Sequence, residues 1–251
     1  AWTTLSDGLY DLYIAAEGGL SAGTTCESLF AGYTNLERID FGSAFHTDGA
    51  ESMYAMFMGC GKLEKLDLSC FDTSAVTRMN CLFSDCVSLN RLDLSSFDTS
   101  DVDRMNHMFF RCSALEELDL SSFDTRNVTN MKSMFSGCEK LNQLNLDDFD
   151  TAAVTNMSYM FQECARLAEL HLNKFNTASV TNMTCMFDSC VNLTTLEVES
   201  FNTGSVTDMS HMFNNCQNLQ TLDVSRFNTS RVTRMNSMFQ SCLKLENLAV
   251  E

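Results

Sequence analysis

The chain contains no proline, a single tryptophan, and only 16 lysines and arginines against 33 aspartates and glutamates. The missing proline suggests that one turn chemistry is reused throughout. The missing cations exclude whole classes of partner. A net charge of −17 opposes nucleic acid and anionic lipid, which need a cationic footprint to displace counterions. No run approaches ~18 uninterrupted apolar residues, so no transmembrane helix is expected. Residues 1–25 lack the basic start and apolar stretch of a signal peptide. The start at Ala1 without methionine favours a segment of a longer precursor. Neither a Cys-x-x-Cys pair nor clustered histidines occur, since His46, His107, His171 and His211 fall at unrelated places, so no metal site is expected. Without a nucleophile turn or glycine-rich phosphate loop, no cofactor and no enzymatic activity are expected.

What is present is a period. Phe45, Phe71, Phe97, Phe123, Phe149, Phe175, Phe201 and Phe227 stand 26 residues apart, and a second phenylalanine follows each by twelve, from Phe57 to Phe239. Repetition at this spacing signals a solenoid. With the first phenylalanine as place one, the unit reads F-[D/N]-T-x-x-V-T-x-M-x-x-M-F-x-x-C-x-x-L-x-x-L-x-[L/V]-x-x. Places nine, twelve, thirteen and sixteen, such as Met131, Met134, Phe135 and Cys138, follow i, i+3, i+4, i+7, which predicts a two-turn helix with one apolar face. Thr129, just before it, is read as the N-cap, and Thr77, Asp103, Thr155, Thr181, Thr207 and Thr233 hold the same place. Places twenty-two and twenty-four, such as Leu144 and Leu146, alternate like one face of a short strand. A lone unit buries too little apolar surface to offset its ordering entropy, so stacking is obligatory.

The first turn is degenerate, with Cys26, Leu29, Phe30 and Tyr33 at the Met, Met, Phe and Cys places. Residues 1–25, containing Trp2, Leu9, Tyr10, Leu12, Tyr13 and Ile14, are expected to cap the array, and 26–251 to form the solenoid. At the far end, Leu245 to Val250 form a strand with no polar cover, which predicts an array continuing further or an end open to self-association.

The motif F-D-T-S-x-V-T-x-M-x-x-M-F-x-x-C-x-x-L-x-x-L-D-L-S, nearly intact from Phe71 to Ser95 and Phe97 to Ser121, resembles the 26-residue repeat of the BspA-like leucine-rich family of bacterial surface proteins. The resemblance covers residues 26 to 251. It implies an extracellular or cell-surface location and adhesin-like protein binding. The expected fold is a right-handed α/β solenoid with parallel strands on one face and short helices on the other, roughly 40 Å long at ~4.8 Å per rung.

Place two alternates between Asp72, Asp98, Asp124, Asp150 and Asn176, Asn202, Asn228, always followed by threonine. Free exchange of acid and amide calls for an oxygen acceptor, not a charge. A turn-forming ladder bonded to backbone amides is therefore expected, with calcium binding as the lesser alternative. Eight cysteines, Cys60 to Cys242, share place sixteen and are read as small buried hydrophobes, which agrees with the reduced cysteines of the family. Cys81 and Cys185, on the outer side of the expected helix, are the candidates for reactivity. Fifteen of the sixteen methionines fall at places nine and twelve and are read as packing.

Function is placed on the variable outward strand places. They hold fifteen acids, from Glu37 to Glu251, against only Arg38, Lys65 and Arg91. The most regular column is place twenty-three: Asp67, Asp93, Asp119, Asn145, His171, Glu197 and Asp223. Asp67, Asp93, Asp119, His171, Glu197 and Asp223 are the candidate partner-binding residues, for a protein or peptide of basic character, such as a host extracellular one. The competing expectation is a structural spacer displaying other domains.

Overall fold

The computed structural model describes residues 2–4, 10–13, 20–42 and 45–250. Leu9, Ile14 and Glu251 lie outside the described residues, and of Trp2, Tyr10 and Tyr13 only the backbone is described. The strands are β1 (Trp2–Thr4), β2 (Tyr10–Tyr13), β3 (Leu20–Ser21), β4 (Leu36–Asp40), β5 (Phe45–His46), β6 (Lys65–Leu66), β7 (Glu117–Leu118), β8 (Gln143–Leu144), β9 (Glu169–His171), β10 (Thr195–Glu197), β11 (Thr221–Asp223) and β12 (Asn247–Ala249). From β6 onward each lies at places twenty-one to twenty-three, where the leucine alternation put it. Pairing between successive rungs is parallel and in phase with the repeat: Leu118 opposes Leu144, Leu170 opposes Leu196, and Leu222 opposes Leu248. At the front, β1 and β2 are antiparallel and β2 joins β4 in parallel, giving the order β1-β2-β4-β6.

Helices do not form among the described residues, and this corrects the expected α/β class. Places nine to sixteen are instead a run of overlapping turns. Met134, Ser136 and Cys138 donate backward to the carbonyls of Met131, Ser133 and Phe135, three residues earlier. Met131, Ser133, Phe135 and Gly137 donate outward to the carbonyls of Asn156, Ser158, Met160 and Gln162 in the next rung. A helix would have turned the amides beyond its first turn back into the segment; the turn run gives alternate ones to its neighbour. Closing each turn needs left-handed backbone at places eleven and fifteen. Among the described residues, all fifteen non-glycine residues with positive φ fall there, between 53° and 62°, with glycine at some of the same places, such as Gly59 and Gly137. Each non-glycine position costs about 1–2 kcal/mol locally. The inter-rung hydrogen bonds outweigh that cost, whereas an isolated two-turn helix is marginal in water.

The turn side also carries the unbroken ladder. Parallel bridges run through place eight from Thr25 and Ser52 through Arg78, Arg104, Asn130, Asn156, Asn182 and Asp208 to Arg234. Place seven is therefore not an N-cap. The Thr155 hydroxyl donates to the Thr129 carbonyl at 3.2 Å and Thr181 donates to Thr155 at 3.2 Å, each reaching the rung before it. The strand side is more interrupted: residues 91–93 form no bridge to either neighbour, and β8 is not bridged to β9.

Inside, the places expected to be apolar are buried in the central rungs apart from the half-buried Leu92 and Leu144, whereas in the last rung Met235 and Leu248 are exposed. Place thirteen builds a column of rings, Phe30, Phe57, Phe83, Phe109, Phe135, Phe161, Phe187, Phe213 and Phe239. Successive centroids lie 5.5–5.8 Å apart with planes within 14°. The methionines at places nine and twelve pack beside them, buried throughout the central rungs. Place three is a second internal column, of buried threonines. The Thr99 hydroxyl donates to the Asp124 carbonyl at 2.9 Å and accepts from the Asp124 amide at 2.8 Å.

Candidate functional site

The strand face is set by pleat. Places twenty-two and twenty-four turn inward, so places twenty-one and twenty-three stand outward and line up along the array. Asp67, Asp93, Asp119 and Asn145 are exposed in successive rungs, followed by His171, Glu197 and Asp223. The structure thus brings all six candidate residues into one column.

It also gives most of them a second task. Asp67 Oδ1 accepts the Ser69 amide at 3.0 Å, Asp93 Oδ1 the Ser95 amide at 3.0 Å, and Asp119 Oδ1 the Ser121 amide at 3.0 Å. Asp223 does the same for Ser225 at 2.9 Å, and Asn145 for the Asp147 amide at 2.9 Å. These are Asx turns, in which the side chain imitates a backbone carbonyl two residues on. The amide and hydroxyl of the capped serine hold the carboxyls of Asp67, Asp93, Asp119 and Asp223 below the usual carboxylate range. They stay ionised, and each keeps its second oxygen toward solvent. The signal was readable in the sequence: Asn145 in the column already shows that the place accepts an amide. His171 and Glu197 depart from the pattern. His171 Nδ1 lies 3.2 Å from Glu197 Oε2 on the next strand, and its Nε2 lies 3.8 Å from Glu169 Oε2.

Place two behaves as expected. Asp72, Asp98 and Asp150 accept the amides of Ser74, Ser100 and Ala152 at 3.0 Å, and Asn176, Asn202 and Asn228 do the same at 3.0–3.2 Å. Among the described residues no group of three or more His, Cys, Asp or Glu is arranged to hold a metal ion. Nor is any helix among them long and apolar enough to cross a membrane.

The cysteines are reduced thiols. Along place sixteen each Sγ donates to a phenylalanine carbonyl of the preceding rung, as Cys138 does to Phe109 at 3.2 Å. Burial pushes the Cys138 and Cys190 thiols up to about 12 and Cys60 to about 11. Cys81 and Cys185, expected on the outside of a helix, are not activated either. Place eleven lies in the turn run, Cys185 is 8% exposed, and burial raises both thiols, Cys185 to about 11. Folded protein at neutral pH is therefore expected to react only slowly with a thiol reagent, and denatured protein to return twelve thiols. A fast native phase from Cys185 or fewer groups in denaturant would contradict this account.

Two residues before the place-twenty-three column, on the same outward face, stands a second set of charges. Place twenty-one starts with Arg38, Lys65 and Arg91, beside the first carboxylates of place twenty-three. The two sets flank a shallow groove of about 740 Å³ over Ile39, Leu66, Leu92 and Leu118. Beyond Arg91 the same place holds Glu117, Gln143, Glu169, Thr195 and Thr221.

A family model described as "Mycoplasma protein of unknown function, DUF285" matches residues 24–118, 91–194 and 165–250. The chain belongs to this family. No curated protein matches it. Among solved structures the DUF285 chain is similar to a leucine-rich repeat protein from Eubacterium ventriosum (17% identity, 86% of this chain and 67% of that one, TM-score 0.49). It is also similar to a leucine-rich cell surface protein from Faecalibacterium prausnitzii (16% identity, 100% and 92%, TM-score 0.41) and to the leucine-rich repeat protein of T. pallidum (15% identity, 87% and 87%, TM-score 0.38). The 26-residue period read from the sequence runs through all three matched segments.

Proposed function

We propose that the chain is a protein-binding repeat module of the bacterial cell surface, adhesin-like, with residues 1–25 as its cap, and that it captures a protein or peptide partner through the acidic strand face. The observation that carries this is the place-twenty-three column. Asp67, Asp93, Asp119 and Asp223 are ionised, outward, and held in fixed orientation by their own turn bonds, with one oxygen each left for a partner. Asp67, Asp93 and Asp119 stand at rung spacing, and such a row of preoriented carboxylates favours a cationic partner and speeds its encounter more than it deepens final affinity.

The Asx turns favour a second reading. If the carboxylates serve only as turn caps, the module is a spacer that displays other domains. The two readings separate with a charge-removing change that keeps the cap. Asp67→Asn, Asp93→Asn, Asp119→Asn and Asp223→Asn together retain every Oδ1 acceptor. A matched control, Asp72→Asn, Asp98→Asn, Asp124→Asn and Asp150→Asn, alters net charge by the same four units away from the face. Binding of an octalysine peptide at low ionic strength is expected to weaken about tenfold or more in the first variant and less in the second, at about 0.2–1 kcal/mol per exposed charge. Equal loss in both, or no binding by either the variants or the natural protein, rejects the face as the binding site and leaves the spacer.

A further inference from the structure

The strand face is not uniformly acidic, and its front half carries more information than a negative patch. Lys65 and Arg91 stand at place twenty-one of neighbouring rungs, two residues from Asp67 and Asp93 on the same side of the same strands. Extended geometry puts the Cα of each cation about 6–7 Å from that of its carboxylate neighbour, on the same face. Among the described residues neither cation forms a salt bridge, and Asp67, Asp93 and Asp119 form none either. Two neighbouring rungs therefore each set an unneutralised cation beside an unneutralised carboxylate, and Glu117 ends the cationic stretch at the next rung. Between the cations and the carboxylates lies the groove of about 740 Å³. Its floor is loosest at Leu92, which is half-buried where Leu66 and Leu118 on either side are 7% and 6% exposed. The backbone loosens at the same point: 91–93 bridges to neither neighbour, and the Asn90 amide reaches the Glu64 carbonyl only at 3.5 Å.

We infer that this groove docks an extended peptide running along the solenoid axis, with acidic side chains on one edge facing Lys65 and Arg91 and basic side chains on the other facing Asp67, Asp93 and Asp119. The inference rests on the proposed function of the strand face and specifies the partner. Charge complementarity selects the occupant. A purely basic peptide meets Lys65 and Arg91 unfavourably, a purely acidic one meets three carboxylates, and only a segment with both signs on opposite edges satisfies both sets of charge. In an extended chain successive side chains point to opposite sides, so the pattern required is strict alternation of acid and base. The loosened floor under Leu92 sits midway between the walls, where such a backbone would lie.

The experiment uses the whole chain and three octapeptides, titrated calorimetrically at low ionic strength. One alternates lysine and glutamate, one of identical composition places all its lysines before all its glutamates, and the third is octalysine. The alternating peptide is expected to bind about tenfold tighter than the block peptide, and Lys65→Glu with Arg91→Glu to abolish that preference while leaving the unfolding midpoint in place. The exposed positions of both cations make the variant a conservative one for folding, and retention of octalysine binding checks that the face is intact. Equal affinity for the alternating and block peptides, or an unchanged preference in the double variant, overturns the inference; if octalysine then still binds and responds to the place-twenty-three substitutions, the acidic-face reading stands without it. Loss of all three peptides by the natural chain rejects both. Sedimentation of the natural chain is expected to show a monomer; a dimer dissolved by Lys65→Glu with Arg91→Glu would give the groove to a second copy and overturn the peptide.

Discussion

Phe135→Ala is expected to cost about 3–5 kcal/mol, the range for removing a buried aromatic from a close-packed core. Phe135 is 0% exposed and its ring stacks on Phe109 at 5.8 Å and Phe161 at 5.7 Å. The damage goes beyond one rung. In a quasi-one-dimensional array each unit touches only its neighbours, and stability is a sum of weak rungs and strong interfaces. Deleting a central ring weakens two interfaces at once, and the flanking segments lose the coupling that made them unfold together. Denaturant unfolding followed by circular dichroism should show a lower midpoint and a broadened or split transition. Phe239→Ala supplies the comparison. Its ring stacks on Phe213 at 5.7 Å and is already half-buried, so the loss should be roughly half and the transition should stay single. Equal losses at the two sites would mean that the ring column does not carry coupling along the array.

The same column shows how far the sequence could be read. The period, the inward places and the direction of stacking all follow from which residues repeat, because burial of apolar side chains is indifferent to the backbone that delivers them. For that reason the i, i+3, i+4, i+7 pattern of Met131, Met134, Phe135 and Cys138 was misleading. A helix and a chain of overlapping turns both return to the interior every three to four residues, and apolar spacing alone cannot separate them. The discriminating signal was weaker: glycine at Gly59 and Gly137 inside the supposed helix, where left-handed backbone is needed. It was obscured because place eleven reaches the same conformation with Ala55, His107, Tyr159 and Cys185, residue types that give no warning of it. The decisive energy there is hydrogen bonding to the next rung, which is a tertiary property. The candidate site was legible to a different degree. Its placement followed from the strand pleat. The capping role of Asp67, Asp93 and Asp119 was hinted at only by Asn145, and the cations Lys65 and Arg91 were outnumbered by acids in any count that ignored their position.

The threonine that follows place two in every unit tests the distinction between residues repeated for structure and residues repeated for binding. Thr99→Val keeps the shape and removes the hydroxyl. It should cost about 2–4 kcal/mol, because Thr99 is 1% exposed and its oxygen serves both the amide and the carbonyl of Asp124, and buried backbone groups left without partners cost ~1–3 kcal/mol each. Thr99→Ser, which keeps the oxygen, should recover most of that loss, as cavity effects of one methyl are smaller than two orphaned backbone groups. Asp98→Asn, one residue earlier, should leave the midpoint nearly unchanged, since Asp98 Oδ1 accepts the Ser100 amide at 3.0 Å and an amide oxygen replaces it as Asn176 and Asn202 already do. Thermal unfolding of the three variants side by side therefore reads the internal ladder directly. A Val variant as stable as the natural chain would mean that the Asp124 backbone groups find other partners and that the threonine column is dispensable. A large loss confined to Thr99→Val would establish that the hydroxyl column, running inside the solenoid parallel to the ring column, holds the rungs in register and leaves the outward carboxylates free to vary with the partner.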